Sequence, residues 1–292
     1  MAKLSITKAW DDSRPIIARD GRLMFAIALA TVVVPGTLMY LMDPTQNQIG
    51  GDTAAADANG ATVLISLLSS LIGMIGSIAI SYLALTRGAS VGDGLRRGLK
   101  RVLPTIGAVL LLLVPIVALA MMFIVVGLGA ESLQRSPELT MEALTGPAVL
   151  MLFLMMVLIF YVAVRLLLMT PVIAAEDQGP LGILKRSWSI TKGHGARLFG
   201  FLILFVVAAI LVMAAAGIVV GLVVSLIFGE IEPMSIAALV TGLFATIVQA
   251  GFTIVWSTMV ARIYLQLTGR SADPDANELR EPRVSVPPSG EA

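Results

Sequence analysis

The side chains able to do chemistry in this sequence are few. There is one histidine, His194 in Gly193-His194-Gly195, and no cysteine. Thiolate nucleophiles, disulfides and thiolate metal sites are therefore excluded. A metal site would need carboxylates alone, and a catalytic histidine pair cannot form. No nucleophile motif and no buried carboxylate pair points to an intramembrane enzyme. The expectation is a protein that is not an enzyme, with no cofactor and no metal, and His194 reads as a surface-turn residue.

Charged residues beside apolar runs are the better candidates. Arg165 lies late in the apolar stretch Ala148–Ala175, followed by Pro171, Glu176 and Asp177, and Arg262 holds a similar place late in the last apolar segment. Ionisable groups near a hydrocarbon core favour functional sites. These four form a candidate polar pocket, in which Arg165 meets Glu176 or Asp177 across the break at Pro171. The plainer reading is a boundary arginine. Counted from Ala148 at 1.5 Å per residue, Arg165 lies roughly 26 Å across a core about 30 Å thick, and its side chain can snorkel the remaining distance.

A second set pairs basic with aromatic or aliphatic residues: Lys8 with Trp10, Arg96 and Arg97 between Leu95 and Leu99, and Lys185 and Arg186 with Trp188. Around Trp188, the spacing puts Leu181, Leu184 and Trp188 on one helical face and lets Lys185, Arg186 and Lys192 turn toward headgroups. Tryptophan favours the membrane boundary, and each basic residue near an anionic leaflet contributes about 1 kcal/mol. These residues are candidate contacts to lipid or to a membrane-protein partner; the plainer reading makes them topology anchors. Nothing points to nucleic acid.

The elements that position these groups follow from composition. Hydrophobic residues make up 57% of the 292, charged residues 13%, and mean hydropathy is +0.92. Soluble domains carry about a quarter charged residues, so this is a multi-spanning membrane protein. The expected fold is all-α, a polytopic bundle of six transmembrane helices at Leu23–Met42, Ala61–Thr86, Val102–Leu128, Ala148–Thr170, Leu198–Phe228 and Ser235–Leu267. The first apolar run is too long for a signal-peptide core. Helices are expected rather than strands, because no run alternates polar and apolar over ten residues. Lysine and arginine crowd the N-terminus, the second and fourth loops and the tail, whereas the other loops are acidic with Arg135 alone among bases. The positive-inside rule then puts both termini in the cytoplasm.

Each basic motif precedes an odd-numbered span, and the returning spans end alike in YLALTRG, RLLLMTP and IYLQLTGR. The chain reads as three copies of a basic amphipathic helix followed by a helical hairpin. The membrane domain is expected over residues 1–268, with interfacial helices near 5–20, 90–101 and 180–192. A disordered, polar tail is expected over 269–292. Ser136-Pro137-Glu138 starts a short external helix ending near Gly146, and the short loop Gly229–Met234 makes the last two spans antiparallel neighbours. Small residues recur at every fourth position on spans two (Ser69, Gly73, Ser77, Ser81), five (Gly217, Gly221, Ser225) and six (Ala238, Gly242, Thr246, Ala250), predicting bundle contacts. Gln249 is placed to hydrogen-bond a neighbouring helix, and Pro35 and Pro115 to bend their spans.

From RLLLMTPVIAAEDQGPLGILKRSWSITKGHGARLFG, the chain resembles the glycerophosphodiester phosphodiesterase membrane-domain family. The match is Arg165 late in a span, then Pro171, Glu176, Ser187-Trp188 and Thr191-Lys192-Gly193. The resemblance covers roughly an eighth of the chain closely, with six-span organisation over most of the rest. It implies a stand-alone bacterial cytoplasmic-membrane protein. The family's fusion members hydrolyse substrate in a separate soluble barrel, for which this chain has neither the histidines nor the length. The functional expectation is a non-enzymatic module of the cell envelope that binds lipid or a membrane partner. The alternative is a small transporter or lipid permease.

Overall fold

The computed structural model describes residues 5–42, 60–123 and 146–270 of the chain. Every element among them is helical: α1 (Ile6–Ala28), a π turn (Leu29–Val33), α2 (Val34–Met42), α3 (Gly60–Leu85), α4 (Val91–Phe123), α5 (Gly146–Leu166), α6 (Met169–Ala175), α7 (Pro180–Thr191), α8 (Gly195–Phe228) and α9 (Ile236–Thr268). Six helical stretches are long and apolar enough to cross a membrane, so the protein is an all-α, six-span membrane bundle. The expected external helix after Ser136, and the tail beyond Arg270, lie outside the described residues.

The basic segments do not all behave as expected. Only the third is a separate helix, α7, stopped where Gly193 takes φ +87° before α8 begins. The first two have no such stop and run straight into their spans. From Ile6 to Met42 the helix continues for 37 residues, about 55 Å at 1.5 Å per residue, against a core of about 30 Å. Its basic N-terminal part therefore extends beyond the core as a continuation of the span.

Local breaks have local causes. Pro35 has no N–H to offer the Thr31 carbonyl, and the turn before it widens: the Val34 N–H reaches back to the Leu29 carbonyl, five residues away. Pro171 likewise leaves the Leu167 carbonyl without its helical donor, and the chain breaks between α5 and α6 at Leu167–Leu168. Pro115, by contrast, stays inside unbroken α4.

Helix α9 is the centre of the bundle, packed on α1, α2, α3 and α8. Its small-residue stripe allows the close approach: Gly242 lies against the Tyr40 ring, and Thr246 and Thr37 share a 2.9 Å hydrogen bond. Helices α3 and α4 touch at Gly98, where an added Cβ would come within 2.6 Å of the Ile75 carbonyl oxygen. The densest core gathers at the basic end, where Ile78, Ile80, Leu168, Val172, Ile173, Ile183, Leu198, Phe201, Ile263 and Tyr264 are buried. In the opposite half α5 and α8 are almost bare; no residue in the most apolar window of α8 is buried. Gly217 and Gly221 on α8 face open space within the chain, so that stripe does not make the expected bundle contact.

Candidate functional site

At the basic end, two consecutive carboxylates organise the elements. Helix α6 ends at Ala175, and Glu176, its C-cap residue, turns into extended backbone with its side chain only 8% exposed. Four groups converge on it. The Tyr264 hydroxyl donates to Oε1 at 2.7 Å, Gln178 Nε2 to Oε2 at 2.7 Å, and Arg186 Nε to both oxygens at 3.0 and 3.2 Å. Arg270 Nη1 completes the set at 3.4 Å and also donates to the Tyr264 hydroxyl at 3.0 Å. Gly269, left-handed at φ +67°, stops α9 and begins the turn that brings Arg270 back. One carboxylate thus ties α6, α7 and the end of α9 together.

Asp177 does the same for α4. Arg97 Nη1 donates to it at 2.8 Å and Arg101 Nη2 lies at 3.1 Å, while Arg97 Nε caps the Ala174 carbonyl at 2.9 Å. Burial works to raise the Asp177 carboxyl, but Arg97 and Arg101, with Lys100 behind them, outweigh it and hold the group below the usual carboxylate range.

The expected pocket of Arg165 with Glu176 or Asp177 does not form. Arg165 instead lies over the Tyr161 and Trp188 rings, 5.1 and 5.3 Å from their centroids, and donates to the Tyr161 hydroxyl. Its backbone carbonyl accepts from Ser187 Oγ and Thr191 Oγ1. Tyr161 and Trp188 sit one turn below Arg165 and across on α7, so the ring faces capture it before any carboxylate. Arg262 also stays apart, donating to the Ala84 carbonyl at 3.1 Å. Glu176 and Asp177 are neighbours, each claimed by other arginines.

The belt residues divide in two. Arg97 and Arg186 are engaged on Asp177 and Glu176 as described, and both remain partly exposed. Lys8, Trp10, Arg96, Lys185 and Trp188 are exposed. On α7 the inward face is Ile183, Ser187 and Thr191, fully buried, and the outward face is Leu181, Lys185, Trp188 and Lys192. Leu184 packs against the core rather than joining Leu181 and Trp188 outside. On α4 the outward face is Arg96, Leu99, Lys100 and Leu103, and on α1 Arg14 lies over Trp10 at 5.4 Å. His194 precedes α8 as its N-cap residue, and among the described residues no group of three His, Asp or Glu side chains could hold a metal.

Sequence reasoning missed a second feature. Between α3, α6, α8 and α9 lies a cavity of about 250 Å³, lined by Ser77, Ser81, Thr170, Gln249, Thr253 and Ser257 with Phe205, Phe252 and Trp256 as aromatic wall. Trp256 stacks on Phe201 at 5.5 Å and leans on Phe205 at 4.8 Å, which fixes α8 against α9. Two signals were present. Gln249, Thr253 and Ser257 follow at i, i+4 and i+8 within an apolar helix, and Trp256 lies far from the boundary that tryptophan prefers. Gln249 is exposed on the bundle surface at this cavity, not engaged with a neighbouring helix.

The chain belongs to a family whose model, described as a domain of unknown function (DUF7847), matches residues 4–268. No curated protein and no solved structure matches it.

Proposed function

We propose that this DUF7847 member is a non-enzymatic, lipid-binding module of a bacterial cytoplasmic membrane, with both termini on the cytoplasmic face. One observation carries the reading: the cations at the basic end are sorted. Arg97, Arg101 and Arg186 are spent inside the protein on Asp177 and Glu176. Lys8, Lys185 and Lys192 stay on the outer faces, without an ion pair among the described residues and flanked by Trp10 and Trp188. Apolar rings at headgroup depth beside outward ammonium groups suit an anionic phospholipid surface. The proposal includes architectural kinship to the glycerophosphodiester phosphodiesterase membrane-domain family, and no catalysis.

The test is native mass spectrometry of the protein purified from mixed phospholipid, beside a K8Q/K185Q/K192Q variant. Anionic phospholipid should copurify with the wild type and be lost from the folded variant. Equal, unselective lipid on both would reject the reading. A lipid permease is the second reading, favoured by the polar cavity that meets the bundle surface at Gln249. It predicts substrate-dependent lipid movement in proteoliposomes.

A further inference from the structure

The cavity between α3, α6, α8 and α9 is a polar chamber set into an apolar bundle. Apart from Trp256, the polar side chains in its lining are five hydroxyls and one amide, and none of the described residues lining it is charged. Their hydrogen bonds are unevenly used. Ser77 Oγ donates to the Met74 carbonyl and Thr253 Oγ1 to the Gln249 carbonyl, so each hydroxyl keeps acceptor capacity. Ser81 Oγ is different: the residue is 0% exposed, and its hydroxyl has no hydrogen-bond partner among the described residues. A buried polar group left unpaired is costly, so each such orphan calls for an explanation. In this wall the missing group is one that can both donate and accept.

The chamber adjoins a second space. Along the same pair of helices, toward the opposite end of the bundle, runs an apolar groove of about 710 Å³, whose lining includes Ile210, Met213, Gly217, Gly221, Phe244 and Val248. On α9 the groove's lining ends at Val248 and the chamber's begins at Gln249. On α8 the groove spans Ala209 to Gly221, about 18 Å of helix. Gly217 and Gly221, where a Cβ would meet nothing, keep it open.

We infer that the chamber and groove together bind a neutral amphiphile with a free hydroxyl head, a lipid of the diacylglycerol kind. The hydroxyl sits in the chamber, accepting from Ser81 Oγ and donating its one proton to Ser77 Oγ or Thr253 Oγ1, and the hydrocarbon chain lies in the groove. Charge and depth exclude a phospholipid headgroup. The chamber's lower edge, Val260, is one turn above Tyr264, about 6 Å inside the charged end. A phosphate there would be desolvated with no cation in the wall to meet it. An uncharged hydroxyl needs only the groups present. A ligand that could only accept would leave the Ser77 and Thr253 lone pairs unused. This site is separate from the lysine belt and does not depend on it.

Trp256 in the chamber wall supplies the readout. In a W10F/W188F background it is the only tryptophan, since the chain has three. The protein is reconstituted in phosphatidylcholine vesicles and titrated with a diacylglycerol carrying dibrominated chains, whose bromines quench tryptophan on contact. The controls are phosphatidylcholine with the same brominated chains and the same diacylglycerol with its hydroxyl capped as a methyl ether. Quenching by the free diacylglycerol should saturate, at roughly tenfold lower mole fraction than for either control. Ser81→Ala should weaken it about fivefold, the loss of one hydrogen bond. Ser81→Leu should abolish the selectivity by filling the chamber. If that variant does not fold, Thr253→Val and the capped ligand test the same contact. Equal, unsaturable quenching by all three lipids would overturn the inference and leave the chamber to water. Equal saturation by free and capped diacylglycerol would overturn the hydroxyl assignment.

Discussion

Neutralising Glu176 tests whether one carboxylate ties the basic end together. At 3.0 Å and an effective dielectric of about 20, the Arg186–Glu176 attraction is about 5 kcal/mol gross. Most of that is offset by the cost of taking both charges from water, so an intact pair adds little net stability. Breaking it is another matter. In Glu176→Gln the side chain keeps its shape and Tyr264 can still donate to Oε1, but Arg186 and Arg270 lose their counter-charge. A fully buried orphan would cost about 3–5 kcal/mol; these guanidinium groups are 36% and 44% exposed and can recruit water, which brings the expectation to about 2 kcal/mol. For a protein of this size that is a fall in melting temperature on the order of 5 °C, read in detergent by loss of monodisperse protein. Arg186→Gln should cost less, because Glu176, the more buried partner, keeps Tyr264, Gln178 and the Arg270 charge. The double variant should cost less than the sum of the two by about 1 kcal/mol. If Glu176→Gln melts with the wild type, or if the two changes simply add, Glu176 is not the common anchor and the account of this end is wrong.

Three further outcomes follow from the same geometry. Asp177 is held below the usual carboxylate range, so its contribution is fully present above the unfolded value of about 3.9 and is lost as pH falls through the lower folded value; the melting difference between wild type and Asp177→Asn should be level from neutral pH to about 5 and shrink only as the pH is taken below the unfolded value. Gly98→Ala should cost about 1–3 kcal/mol, because its Cβ would meet the Ile75 carbonyl oxygen, backbone that cannot move aside, and thermal unfolding reads it directly. The chain is free of cysteine, so single Lys100→Cys and Glu232→Cys variants report sidedness: an impermeant maleimide should label Glu232→Cys in intact cells and Lys100→Cys only after permeabilisation, and the reverse would overturn the proposed topology.

The six spans and their basic end were legible because both are bulk properties: long apolar runs, and charges sorted between loops. The partners of individual charges were not. Glu176 and Arg186 are ten residues apart, and whether they meet depends on the turn through Asp177–Gly179, which has no strong local signature. Arg165 meets rings in place of a carboxylate, since Tyr161, one turn earlier on the same helix, is within hydrogen-bond reach of its guanidinium. Some of this could have been read from helix faces. Gly94 and Gly98 mark the side of α4 that meets α3, and Arg97 and Arg101 flank that side, whereas Arg96 and Lys100 project opposite. On α7, Ile183, Ser187 and Thr191 form a small, buried stripe, and Arg186 is adjacent to it.

That division of labour has a chemical basis. The cations spent on internal partners, Arg97, Arg101, Arg186, Arg262 and Arg270, are all arginines. A guanidinium can serve two acceptors at once from a fixed plane, as Arg97 does in joining Asp177 to the Ala174 carbonyl. An ammonium is a compact, strongly hydrated charge on a flexible stem, poorly suited to such bridging and well suited to reaching a headgroup layer. Lys8, Lys100, Lys185 and Lys192 all point outward. The arginines therefore tie the helices to one another, and the lysines stand outward on the frame so formed, which is the arrangement the proposed lipid contact requires.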